Sequence, residues 1–113
     1  MEKDGFRELR RDRRHPVYFR TSLSIENSGN YGGTILDLSN RGCMLQSYMH
    51  VISGTSVGLN LTVPGEEGTI EIERAEIRWT REPLYGVEFI AIQPQQHERL
   101  RQIVHNLTLS PRS

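Results

Sequence analysis

Thr69-Ile70-Glu71-Ile72-Glu73-Arg74-Ala75-Glu76-Ile77-Arg78-Trp79-Thr80 decides the fold. Its apolar side chains alternate at Ile70 and Ile72, skip one position, then resume at Ala75, Ile77 and Trp79. A period of two is that of a half-buried strand. The slip of one residue predicts a β-bulge near Glu73 and Arg74, and bulges bend a strand so that a sheet can curl. A long, bent strand of this kind belongs in a barrel.

The flanking segments follow the same rule. Val57, Leu59, Leu61 and Val63 alternate upstream without a fault, and Pro64-Gly65-Glu66-Glu67-Gly68 supplies the hairpin loop. Downstream, the turn at Glu82-Pro83 leads into a strand over residues 85–92, with Val87, Phe89 and Ala91 on one face. Nearer the N-terminus, Val17, Phe19, Thr21, Leu23 and Ile25 oppose Tyr18, Arg20, Ser22, Ser24 and Glu26. Asn27-Ser28-Gly29-Asn30 and Gly32-Gly33 predict a turn. A strand over about residues 34–38, a turn at Asn40-Arg41-Gly42 and a strand over about residues 43–48 come next. After Pro94 the period changes: Leu100, Ile103, Val104 and Leu107 stand at i, i+3, i+4 and i+7, an amphipathic helix. The fold class predicted is all-β with one helix, a six-stranded antiparallel β-barrel capped at one opening by a C-terminal α-helix. Residues 17–109 form that domain. Residues 1–16, polar and without a clean period, read as a flexible basic arm with a short helical turn around residues 6–9, ended by Pro16.

Size and composition narrow the function. The chain has 113 residues, enough for one core and too few for two. Its 35% hydrophobic and 25% charged residues are those of a globular domain. No apolar run nears the roughly 20 residues of a membrane span, and no signal-peptide pattern opens the chain, so a cytoplasmic protein without membrane insertion is expected. The single Cys43 has no partner for an internal disulfide, and His15, His50, His97 and His105 lack metal-ligand spacing. No phosphate-binding glycine loop, paired nucleophile or clustered carboxylates point to catalysis. Neither an enzyme nor a metal protein is expected, and no cofactor.

Charge is neutral overall but unevenly placed. Residues 1–20 hold seven basic side chains against four acidic ones, and thirteen of the fourteen basic residues are arginine. Arginine forks onto phosphate and onto the Hoogsteen edge of guanine, and it stacks on flat rings. Two motifs stand out. One is Arg10-Arg11-Asp12-Arg13-Arg14, which contains Arg10-x-x-x-Arg14; in the other possible register Arg13 comes first and Val17 takes the place of the second arginine. The other is Asp37-Leu38-Ser39-Asn40-Arg41-Gly42, an Asp-x-Ser-x-x-Gly at a strand-to-strand turn.

Together these resemble the two signatures of the PilZ family, RxxxR followed by (D/N)x(S/A)xxG. Ile77-Arg78-Trp79 and Tyr85-Gly86-Val87-Glu88-Phe89 are similar to the last two strands of that family, so the resemblance covers about residues 10–107. It implies a bacterial receptor for the second messenger cyclic di-GMP that signals to an effector protein. Carried onto this chain, the ligand-binding residues are Arg10, Arg11, Arg13, Arg14, Asp37, Ser39 and Gly42. Arg10 and Arg14 would fork onto phosphate or guanine O6/N7, and another arginine would stack on a base. Asp37 would accept from guanine N1–H and N2–H₂, Ser39 would offer its hydroxyl, and Gly42 would take positive φ and let the backbone approach the ligand. Trp79, which reads first as barrel wall, is carried as a candidate contact too. Taken singly, the Asp-x-Ser-x-x-Gly residues are also ordinary turn formers, the arginine run an ordinary solvated terminus, and Cys43 a small core residue.

Two other functions fit parts of the pattern. One is a PilZ-fold adaptor that works by protein contact without nucleotide. The other is a small barrel that holds single-stranded nucleic acid through its arm. Tyr31, Tyr48, Trp79 and Tyr85 fall on different elements and give no aromatic stripe, so no DNA or RNA partner is expected.

Overall fold

The computed structural model describes residues 13–109. They form β1 (His15–Ile25), β2 (Gly29–Leu38), β3 (Gly42–Ser47), β4 (Ser56–Thr62), β5 (Ile70–Arg81), β6 (Leu84–Ala91) and a single helix, α1 (Pro94–Leu109). The strands close into a barrel in the order β1-β2-β3-β6-β5-β4, every pairing antiparallel.

Alternation fills the interior. Leu23, Ile35, Leu38, Leu45, Leu59, Leu61, Ile70, Ile72 and Ile77 are fully buried, their outward neighbours mostly polar. The slip in β5 is real: register shifts between Arg74 and Ala75, and both Ile72 and Ala75 are buried. A second irregularity lies between Ile77 and Trp79, where Ile77 faces Val87 but Trp79 faces Gly86. It turns Trp79 out of the buried phase of Ala75 and Ile77, so the side chain is 42% exposed rather than inward.

β1 starts at His15, inside the span assigned to the arm, and β2 starts at Gly29, five residues before the expected Thr34. Asn27, with φ of 63°, turns the hairpin early, leaving Gly29 to Gly33 free to pair with Ile25 to Thr21. Of the glycines there, Gly33 is held by close packing, since a Cβ on it would lie 2.9 Å from the Gln46 carbonyl oxygen, whereas Gly29 and Gly32 border open space.

Helix α1 buries Leu100, Ile103 and Val104 at the mouth where β1 and β5 begin. Polar clamps fix it. Gln96 Oε1 accepts from the Glu71 N–H at 2.9 Å, and Arg99 donates to the Thr69 and Glu67 carbonyls, each at 2.9 Å. Asn40 of the β2–β3 turn faces the helix across a cleft of about 400 Å³ lined also by Glu98, Arg101, Gln102 and His105. Among the described residues, no helix is long and apolar enough to cross a membrane.

Candidate functional site

The Asp-x-Ser-x-x-Gly segment ends β2 and begins β3. Ser39 shapes the turn. Its hydroxyl oxygen accepts from the Arg41 and Gly42 N–H groups, each at 3.1 Å, and the Ser39 N–H donates to the Gly42 carbonyl at 2.9 Å. The side chain is 2% exposed, so the hydroxyl expected to face a ligand is spent inside the turn.

Gly42 also differs from expectation. Its φ is not positive. A Cβ there would collide with the Val87 carbonyl oxygen, so the glycine is demanded by the backbone of β6, with which it pairs at Glu88.

Asp37 lies where β2 bulges: Ile35 faces Leu45, Asp37 faces Met44, and Leu36 is the extra residue. The carboxylate repairs the ladder, its Oδ1 accepting from the Met44 N–H at 2.9 Å. The same oxygen accepts from Arg14 Nη1 at 2.9 Å. Neither side chain is deeply buried, and an ion pair this exposed is worth only about 0–1 kcal/mol. Such a pair can be exchanged for another anion at little cost. Among the described residues nothing bonds Oδ2.

Pairing extends this point into a row. Pro16 on β1 faces Asp37, which faces Met44; Met44 faces Gly86, and Gly86 faces Trp79. The indole lies flat against Gly86, in the space that a Cβ at that position would claim. Asp37 and Trp79 end one row of pairs, but β2 and β5 stand opposite each other in the six-strand ring, so the two side chains leave opposite walls of the barrel, with the indole leaning back over β6. Beside the row, Arg78 Nε donates to Glu88 Oε1 at 2.6 Å and Nη1 approaches Glu76 Oε1 at 3.3 Å. The bond to Glu88 pushes the Arg78 guanidinium pKa further up.

Beneath Asp37, Cys43 is fully buried. Burial first, then the Asp37 carboxylate, push its thiol pKa far up, against an opposing pull from Arg14. It is an inert core residue.

Of the expected residues, the structure thus brings Arg14 and Asp37 into contact, leaves Trp79 on the far side of the barrel, and gives Ser39 and Gly42 to the turn. Arg13 is exposed just ahead of Arg14. Arg10, Arg11 and the helical turn expected around residues 6–9 lie outside the described residues. His15, read as simple extended arm, instead has Nε2 3.2 Å from Thr108 Oγ1 on α1; nothing in the local sequence signals that contact.

A family model, the PilZ domain, matches residues 8–106. Solved structures of the same fold include the PilZ domain of CeSA from a cellulose-synthesizing bacterium, with a TM-score of 0.67 and 18% identity over 85% of this chain and 98% of that one. The PilZ domain of YcgR from Escherichia coli, solved with c-di-GMP, gives 0.72 and 14% over 91% of its length and 88% of this chain. The inhibitor of motility MotI/DgrA from Bacillus subtilis gives 0.72 and 21% over 88% of this chain, which spans half the length of that protein. No curated protein matches in sequence.

Proposed function

The chain belongs to the PilZ domain family, and from that premise we propose that it is a receptor for cyclic di-GMP that signals to a partner protein. PilZ domains are ligand-binding regulatory modules rather than enzymes, and members of the family generally bind this dinucleotide and act on partners. The similar domain of YcgR is described with c-di-GMP.

One observation carries the reading: Arg14 and Asp37, from the two sequence motifs, meet at 2.9 Å on the outer face of the barrel. This contact also favours the Arg10-x-x-x-Arg14 register, since Arg14 is the base that arrives at the motif aspartate. A cyclic dinucleotide offers the groups that each side chain prefers. Its phosphates can replace the Asp37 carboxylate as the anion held by Arg14. Asp37, with Oδ2 unbonded among the described residues and Oδ1 released from the arginine, then accepts from N1–H and N2–H₂ of guanine, a donor pair that adenine lacks. Ser39 and Gly42 support recognition by fixing the turn. Arg10, Arg11 and Arg13 supply further donors to phosphate and base, and Trp79 offers an exposed stacking surface further round the barrel.

Calorimetric titration of the chain with cyclic di-GMP, cyclic di-AMP and GTP tests this. Binding of cyclic di-GMP, with at least about tenfold weaker binding of cyclic di-AMP, is expected from the donor pair that adenine lacks. Equal affinity for both dinucleotides, or for neither, contradicts it.

A further inference from the structure

We infer that Tyr18 and Met44 are the two walls of a slot that clasps a guanine base above Asp37; this rests on the reading of the site given above. Tyr18 is 77% exposed on the outer face of β1, and its hydroxyl bonds nothing among the described residues. Register locates it. Pro16 pairs with Asp37 and Phe19 with Ile35, so the bulged residues Val17 and Tyr18 both lie opposite Leu36, one residue from Asp37. Val17 and Phe19 are partly buried against the core, which leaves Tyr18 as the outward side chain of the bulge. On the other flank Met44 faces Asp37 directly and is half-buried on the same outer surface.

Asp37 is thus an acceptor set on the central strand of three, with an aromatic ring on one neighbour and a thioether on the other. Strands β1 and β3 flank β2 on a closed barrel, so their backbones stand somewhat less than two flat-sheet spacings, about 9.5 Å, apart while their outward side chains fan open. A flat ring in van der Waals contact on both faces needs about 7–8 Å between its neighbours. With the Tyr18 and Met44 side chains leaning in towards Asp37, the space between them admits one planar base standing edge-down on the carboxylate. Its Watson–Crick edge would meet Asp37, with one face on the Tyr18 ring and the other on the polarizable Met44 sulfur. The carboxylate chooses guanine, and the walls supply contact to any flat base.

Titration of the full chain with cyclic di-GMP tests the slot, using Tyr18→Ala, Tyr18→Phe and Asp37→Ala. Tyr48→Ala is the control: that tyrosine is 82% exposed just past the end of β3, at the opposite mouth. Tyr18→Ala is expected to bind about five- to a hundredfold more weakly, the loss of one base–aromatic stack. Tyr18→Phe keeps the stacking face and, with Tyr48→Ala, should stay within about twofold of the parent. The Tyr18 ring protons should also shift upfield on binding. If the parent binds and Asp37→Ala weakens binding while Tyr18→Ala does not, the slot is wrong and the reading of the site stands. If the parent does not bind cyclic di-GMP, both fall.

Discussion

Arg14 and Met44 share a single acceptor: the guanidinium of one and the backbone N–H of the other both reach Asp37 Oδ1 at 2.9 Å. The backbone bond is structural, since it closes the ladder across the β2 bulge. The bond to Arg14 is exposed and exchangeable. One carboxylate oxygen therefore ties the motif turn to the barrel and also holds an arginine at the surface, while the second bonds nothing among the described residues.

Ser39→Ala should destabilise the domain. It strips the acceptor from the Arg41 and Gly42 N–H groups, the second of them buried, a loss of about 1–3 kcal/mol. Thermal melting checks this: a clearly lower midpoint is expected, and an unchanged one contradicts the bonding described for the turn.

Gly42→Ala is expected to cost about 1–3 kcal/mol or more, because the added methyl meets the Val87 carbonyl oxygen and backbone on both sides must give. Denaturant unfolding should show the loss even without nucleotide. Full stability with impaired binding would instead return Gly42 to the ligand-facing role read from sequence.

Tyr85 gives the domain a pH dependence at the alkaline end. Its ring is fully buried and its hydroxyl donates to the Met49 carbonyl. Burial, and then the nearby Glu82, raise its pKa above the ordinary 10.0. The folded state thus favours the neutral phenol. The stabilisation is complete below the ordinary value and declines as pH rises through it towards the raised one. Tyr85→Phe should be less stable at neutral pH by about 1 kcal/mol, and the gap should narrow above pH ~10. A gap that widens there reverses the sign of the shift.

Much of the barrel was legible because its pattern is plain. The phase slip between Ile72 and Ala75 located the first β5 bulge, and the spacing of Leu100, Ile103 and Val104 located the buried face of α1. The second β5 irregularity left no trace, since Trp79 continues the alternation of Ala75 and Ile77 in sequence while leaving it in space. Glycine misled at β2: in sequence Gly32 and Gly33 look like a turn, yet Gly33 sits in a strand beside the Gln46 carbonyl. At the site, residue types singled out Asp37, Ser39 and Gly42, and the ordinary turn chemistry of Ser39 was readable beside its ligand role, but not the backbone closeness that demands Gly42. That closeness depends on the approach of β6, which a one-dimensional motif does not contain. Tyr18 escaped notice because its value lies in a register with β2 that only pairing reveals.

The central claim, that Arg14 and Asp37 together recognise cyclic di-GMP, is tested most directly by the affinities of three single variants. Arg14→Ala and Asp37→Ala should each weaken binding by about 1–3 kcal/mol or more, the worth of a good bidentate contact, while remaining folded. Arg20→Ala removes an equal charge from the outer face of β1, where it pairs with Thr34 away from the motif, and should change affinity little beyond screened electrostatics. Arg14→Ala and Asp37→Ala variants that bind cyclic di-GMP as tightly as the parent would contradict the account.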